Sequence, residues 1–418
     1  MNYFEYRNGE LFAEGVPVQR IARNVGTPSY IYSLATLRRH YRVFDQAFTR
    51  LPHLICFSMK SNSNLAVLRV FVNEGGGFDI VSGGELFRAL KAGADPKKIV
   101  FSGVGKKKEE IEYALSAGIL MFNVESGQEL TLLNETARGV GKKAPISLRV
   151  NPDVDPQTHP YISTGMKKSK FGIDIKRSLE EYQRALSLPY LEVIGVDCHI
   201  GSQLTSLSPF VDALARVKSL VGSLRKEGAG IRYLDLGGGL GIRYKDEEPP
   251  HPKEYAESLI RGLEGIDLTL ILEPGRVIVG NAGILVTEVL YLKETEEKKF
   301  VVVDGGMNDL IRPALYGSYQ EIRAVVERKG EMIVADVVGP ICESGDFFAK
   351  DREIPRPQPG DLLAVMSVGA YGFTMASNYN SHPKAPEILV DGENFYVIRE
   401  RETLEDLVKG EVIPAVLQ

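Results

Sequence analysis

A cation ends an apolar run in "CFSMKSNSN", residues 56–64: "HLICFSM" reads as a buried strand, and Lys60 stands where it breaks into small polar residues. Two roles fit such a lysine. It marks where the strand meets water, or it is held in a pocket, where desolvation helps the amine lose its proton and attack an aldehyde. Other runs end the same way. They supply Ser82, Ser102, Glu125, Arg149 with Asn151, His199 with Ser202, Gly237 to Gly239, and Glu273 with Arg276. Such groups can bind anions, transfer protons and hold a carbonyl compound.

Each has a plainer reading. The glycines of "DLGGGLG" could cradle a phosphate with backbone N–H groups, or simply make a tight strand-to-helix turn; they fit neither GxGxxG nor GxxxxGK[ST]. Arg149 could serve a ligand or pair with a carboxylate such as Glu125 or Asp79. His199 in "VDCHIGSQ" could be structural, and Cys342 in "GPICESGD" could be a buried thiol.

The elements that carry these residues repeat. Between residues 50 and 280 eight short β-branched runs, "HLICFSMK", "FDIVS", "KIVFSG", "MFNVES", "PISLRVNP", "LEVIGVDCHIG", "IRYLDLGGG" and "LTLILEPGR", alternate with helical stretches such as "NLAVLRVFVNEG". Continuous apolar strands of this kind belong to a parallel sheet covered by helices, and eight favour a closed (β/α)8 TIM-like barrel. In that architecture catalytic groups sit at the C-terminal strand ends, so the residues above converge on one mouth. After about residue 280 closely spaced strands with turn signals predict a mostly antiparallel β-barrel or sandwich domain. The expected partition is residues 1–30 joining the β domain, 31–278 forming the barrel, and 279–418 completing the β domain.

Composition bounds the function classes. The hydrophobic share of 44%, charged share of 25% and formal charge of -5 describe an ordinary globular protein without a general nucleic-acid or anionic-membrane surface. Cys56, Cys198 and Cys342 show no CxxC spacing and leave at least one thiol unpaired. With no basic-then-apolar leader in "MNYFEYRNGELFAEG" and no run near the ~18 apolar residues of a membrane helix, the expectation is a cytoplasmic protein. The polar stretch 153–174 suggests a mobile lid. Asp153 and Asp155 lack the later glycine and glutamate of a calcium loop, so no metal is expected.

"FSMKSN", "FDIVSGGEL", "CHIGSQ", "LDLGGGLG", "EPGR" and "GPICESGDFF", in order from about residue 25 onward, resemble the fold type III pyridoxal-phosphate-dependent decarboxylases. The resemblance implies an alanine-racemase-like architecture with pyridoxal 5'-phosphate in the barrel. It makes Lys60 the lysine that binds the cofactor aldehyde and His199 the ring stacked on the pyridine. Gly237, Gly238, Gly239, Pro274, Gly275 and Arg276 become the phosphate-binding turns, with Ser202 and Tyr371 beside them. Asp79 and Arg149 hold this arrangement, and Glu273 partners the ring nitrogen. That last role has its own physical case: a carboxylate favours the protonated ring, which is the electron sink decarboxylation needs. The related racemases place an arginine there.

By the same resemblance Arg312, Tyr316 and Arg276 bind a distal carboxylate, Glu343 a distal ammonium, Tyr371 also faces substrate, and Cys342 returns a proton to Cα. Arginine grips carboxylates bidentately, which suits meso-diaminopimelate, an amino acid at both ends, converted to L-lysine and carbon dioxide. The resemblance also implies a homodimer with shared sites. A decarboxylase for carboxynorspermidine, arginine or ornithine, or a non-catalytic pyridoxal-phosphate carrier, are the alternatives.

Overall fold

Each of the eight apolar runs forms a strand, and the strands close into a ring. They are His53–Ser58 (β1), Gly77–Ile80 (β2), Ile99–Phe101 (β3), Met121–Val124 (β4), Ala144–Asn151 (β5), Leu191–Asp197 (β6), Tyr233–Asp235 (β7) and Thr269–Leu272 (β8). Every neighbour pair is parallel, and β8 pairs with β1 through Leu270↔His53 to Leu272↔Ile55. Strands β2, β3 and β4 are buried at every position, which is why they read as unbroken apolar runs rather than alternating ones. The computed structural model describes residues 2–155, 170–328 and 330–418. The stretch 156–169, most of the expected lid, lies outside them.

All the strands but β5 stop one or two residues short of the first chemistry-bearing residue, which falls in the turn. Some of those residues are helix starts. Ser82 caps helix Gly83–Lys91 by accepting from the Glu85 N–H, and Ser126 caps Gly127–Val140 in the same way. The Ser82 hydroxyl is therefore a cap.

The chain divides into two compact units, Arg38–Val279, which holds the barrel, and Met1–Leu37 with Gly280–Gln418. In the second unit the twelve-residue strand Gly283–Glu294 pairs antiparallel with Ser29–Ser33, Lys299–Val303 and Leu362–Val365. Two pairings in this sheet are parallel, Lys299–Val303 with Met332–Val338 and Ser29–Ser33 with Glu387–Asp391. Ser29–Ser33 is buried at every position, and the N-terminal hairpin Phe4–Arg7 with Glu10–Ala13 packs Phe4, Leu11 and Ala13 into the same apolar cluster as Ile31, Ile284 and Ile388. No helix among the described residues is long and apolar enough to cross a membrane.

Candidate active site

Strand register fixes the level of the barrel's polar groups. Ser58 is in register with Asp79, and Arg149 with Asp197, which is in register with Asp235. Just past β1, in the turn Met59–Ser61, the Lys60 amine lies 3.4 Å from Asp79 Oδ2, which also accepts from the Ser58 hydroxyl at 2.7 Å. Asp79 is 1% exposed, and its Oδ1 has no hydrogen-bond partner among the described residues.

Glu273 follows β8. It is 4% exposed, and its Oε1 accepts from Ser102 Oγ and from Asn123 Nδ2, each at 3.3 Å. Burial first, then the Asp235, Asp79 and Asp197 carboxylates, push its pKa well above the ordinary carboxylate range. Asp197 is raised in the same way, by burial and then Asp235, and Asp235 rises to about 6. His199 moves oppositely. Burial, then the Arg149 and Lys60 cations, hold its pKa well below the usual imidazole value, so the ring is neutral at physiological pH. Gly201 N–H donates to its Nδ1 at 3.2 Å.

The glycine turn is shaped by close approach. At Gly237, with φ +63°, an added Cβ would fall 2.8 Å from the His199 ring, and at Gly238 it would fall 2.2 Å from the Glu273 carbonyl oxygen. Only a bare Cα fits either place. The Gly237 N–H, expected to face phosphate, donates instead to Asp235 Oδ1 at 2.9 Å. On the neighbouring turn Gly275 packs against Ser61 and Ser58 behind Pro274. The guanidinium of Arg276 donates to Ser202 Oγ at 3.0 Å and to the Tyr244 hydroxyl at 2.7 Å.

Arg149 takes the partner that its plainer reading offered. Its Nη1 donates to Glu125 Oε1 at 2.9 Å, both side chains are buried, and Phe171 lies under the guanidinium at 4.8 Å. Glu125 Oε2 accepts from Gly172 N–H at 2.7 Å. The residue is a brace, and it adds positive charge beside Asp197 and His199.

The remaining expected residues belong to the other unit and are described there. Arg312 and Tyr316 bound the short helix Arg312–Tyr316. Cys342 and Glu343 are exposed in the connection before Phe347–Pro355. Asp346 ties these segments together, accepting from Met307 N–H at 2.6 Å and Ile341 N–H at 2.7 Å, while Asn380 Oδ1 accepts from Cys342 N–H at 2.7 Å. Tyr371 has φ +58°, a left-handed conformation that costs a bulky side chain about 1–2 kcal/mol.

Sequence reasoning missed Asn123, Ser147, Asp197, Asp235 and Tyr244. The first four were hidden inside apolar runs. A polar residue at a matching depth in neighbouring strands was the available signal.

The barrel's donor set fits pyridoxal phosphate. It offers an amine for the aldehyde, a neutral imidazole against a bare glycine, a turn that a Cβ would fill, and buried carboxylates, Glu273 with Asp79 and Asp197, the last two each keeping an oxygen without a hydrogen-bond partner among the described residues. An eight-stranded barrel so furnished is that of a pyridoxal-dependent decarboxylase: the family model described as "Pyridoxal-dependent decarboxylase, pyridoxal binding domain" matches residues 34–280. The chain is 57% identical over 411 residues to the diaminopimelate decarboxylase of Pseudomonas aeruginosa, covering 98% of this chain and 99% of that one. It is 56% identical to that of Vibrio cholerae, over 97% and 98% of the two chains. The Helicobacter pylori diaminopimelate decarboxylase solved with L-lysine superposes with a TM-score of 0.91 at 45% identity, over 94% of this chain and 98% of that one. The chain belongs to the diaminopimelate decarboxylase family.

Proposed function

We propose that this protein decarboxylates meso-2,6-diaminopimelate to L-lysine and carbon dioxide, the last step of lysine biosynthesis. The observation that carries the reading is a buried carboxylate, Glu273, at the end of the strand paired with the one that leads to Lys60, in a chain 57% identical to a diaminopimelate decarboxylase. Bound pyridoxal phosphate supplies the electron sink for the pair left on Cα when carbon dioxide departs.

The chain does the rest. Lys60 anchors the cofactor aldehyde, with Asp79 beside its amine. Ionised, Glu273 would favour a protonated ring nitrogen, and the neutral imidazole of His199 would lie against the ring without adding charge. The turns at Gly238, Gly239 and Gly275, with Ser202, receive the phosphate. Arg312, Tyr316 and Arg276 hold the far carboxylate and Glu343 the far ammonium, leaving the departing carboxylate without a cation that would stabilise the ground state. Cys342 delivers the proton that replaces the lost carboxyl group. Tyr371 would serve the phosphate and the substrate.

The active form is a homodimer in the cytoplasm, each subunit supplying Cys342, Glu343 and Tyr371 to its partner's barrel. The exposure of Cys342 and Glu343 supports this. Carbon dioxide release from diaminopimelate, ornithine, arginine and carboxynorspermidine tests the substrate. Release from ornithine with none from diaminopimelate overturns the reading. Mixing Lys60→Ala and Cys342→Ala subunits tests the shared site: activity reappears in the mixture if each subunit completes the other, and stays absent if it does not.

A further inference from the structure

The Glu273 carboxylate is gripped by groups to which the roles above give nothing to do. Register places Asn123 of β4 beside Ser147 of β5, and Asp235 of β7 beside Ile271, two residues before Glu273. The Ser147 hydroxyl donates to Asn123 Oδ1 at 2.6 Å, which turns the amide nitrogen toward the carboxylates. That nitrogen lies 3.1 Å from Asp235 Oδ2, 3.3 Å from Glu273 Oε1 and 3.1 Å from Ser102 Oγ. Asp235 then reaches the glycine turn, accepting from Gly237 N–H at 2.9 Å. Asn123, Ser147 and Asp235 are each 0% exposed and Ser102 is 5% exposed.

A barrel interior filled only for stability is better filled by apolar side chains, because buried carboxylates cost more to desolvate than their hydrogen bonds return. Here Ser102 and Asn123 both donate to one oxygen of Glu273, Ser147 orients the Asn123 amide, and Asp235 shares that amide. Close by, the unpartnered Oδ1 atoms of Asp79 and Asp197 are buried. We propose that Asn123 and Asp235 are positioning residues for Glu273: Asn123 fixes the carboxylate and favours its ionised form, and Asp235 ties it to the Gly237 turn. The ring-nitrogen end and the phosphate end of the cofactor site are thereby set by one hydrogen-bonded unit. This rests on the roles given above to Glu273 and the glycine turn.

The groups that bear on Glu273 are the Asp79, Asp197 and Asp235 carboxylates, the Cys56 thiol, and the Lys60 and Arg149 cations. All of them remain in Asn123→Ala, which removes one donor shared by Glu273 and Asp235, whereas Ser102→Ala removes a donor of Glu273 alone among these carboxylates. A hydrogen bond to an ionised group is worth enough to move its pKa by about one unit, upward when a carboxylate loses it.

The test uses the reconstituted holoenzyme and its apoenzyme. In Asn123→Ala the acidic limb of the kcat–pH profile and the matching transition in cofactor absorbance should both move up by about one pH unit, with kcat at neutral pH down about 10- to 100-fold and KM within threefold. Ser102→Ala should shift both in the same direction by less. Asp235→Ala should weaken pyridoxal phosphate binding to the apoenzyme about tenfold or more, and Asp235→Asn, which keeps an acceptor for Gly237, should restore most of that affinity. If Asn123→Ala does not fold, Ser102→Ala decides. Folded variants with unmoved transitions overturn the positioning of Glu273, and unchanged cofactor affinity in Asp235→Ala overturns the link to the turn. The absorbance and affinity readouts need no substrate, so an error in the choice of diaminopimelate shows only in the carbon dioxide assay.

Discussion

The imidazole of His199 rests against the bare Cα of Gly237, so closely that a methyl group placed there would lie 2.8 Å from its Cδ2 atom. The contact joins the turn after β7 to the turn after β6.

Gly237→Ala therefore meets two penalties, a left-handed backbone at φ +63° and overpacking against the ring. Together they should destabilise the protein by about 2–4 kcal/mol and displace the ring, weakening pyridoxal phosphate affinity. Urea denaturation and cofactor titration measure the two effects. Wild-type values for both would mean that His199 moves freely.

Thiol chemistry separates the three cysteines. Burial raises the pKa of Cys56 and Cys198, whereas Cys342 is exposed. The native apoenzyme should react rapidly with one equivalent of a disulfide reagent and, once denatured, with three. Cys342→Ala should remove the fast equivalent and lower kcat about 10²- to 10⁴-fold, as loss of a general acid does. Full turnover in that variant would end the assignment of Cys342 as proton donor.

The Arg149–Glu125 pair is buried on both sides. Removing either charge alone leaves the other stranded, so Arg149→Met and Glu125→Gln should each cost about 3–5 kcal/mol. The double variant should recover much of that loss, a coupling a double-mutant cycle measures directly. It should still bind cofactor poorly, because the positive charge beside Asp197 and His199 is gone.

Acid–base behaviour of the β unit gives an independent test. Asp309 is 2% exposed, and burial pushes its pKa from 3.8 to about 7, with Gly306 N–H donating to one oxygen. The native state thus binds a proton that the unfolded chain releases near pH 4. The stabilisation is complete below about pH 4 and is lost as pH rises through about 7, by up to roughly 1.4 kcal/mol per pH unit. Asp309→Asn should match wild type at pH 4 and exceed it in denaturant resistance at pH 8. Equal pH dependence in both proteins would contradict the raised pKa.

The sequence made the barrel legible because each strand is buried on both faces and therefore appears as one apolar block. Lys60, His199 and Glu273 stood out because they break such blocks. Asn123 in "MFNV" and Asp235 in "YLD" did not, since one polar residue within a short apolar run looks like noise until register sets it beside Ser147 or Asp197. The amide of Gly237 was expected to face phosphate, yet it bonds Asp235 two residues back, a local turn that no residue pattern announces. Tyr244 was missed for another reason. It lies outside any strand and reaches Arg276 only through the fold.

Closure of the ring by β8 against β1 has a consequence for synthesis of the chain. Lys60 is among the first barrel residues to leave the ribosome and Glu273 among the last, yet their strands become neighbours only when the final strand slots beside the first. With the roles proposed above for Lys60 and Glu273, a nascent chain would hold both ends of the cofactor only after β8 has emerged, so capture of pyridoxal phosphate would report a finished barrel. Truncated chains lacking β8 are left with two unpaired strand edges, those of β7 and β1.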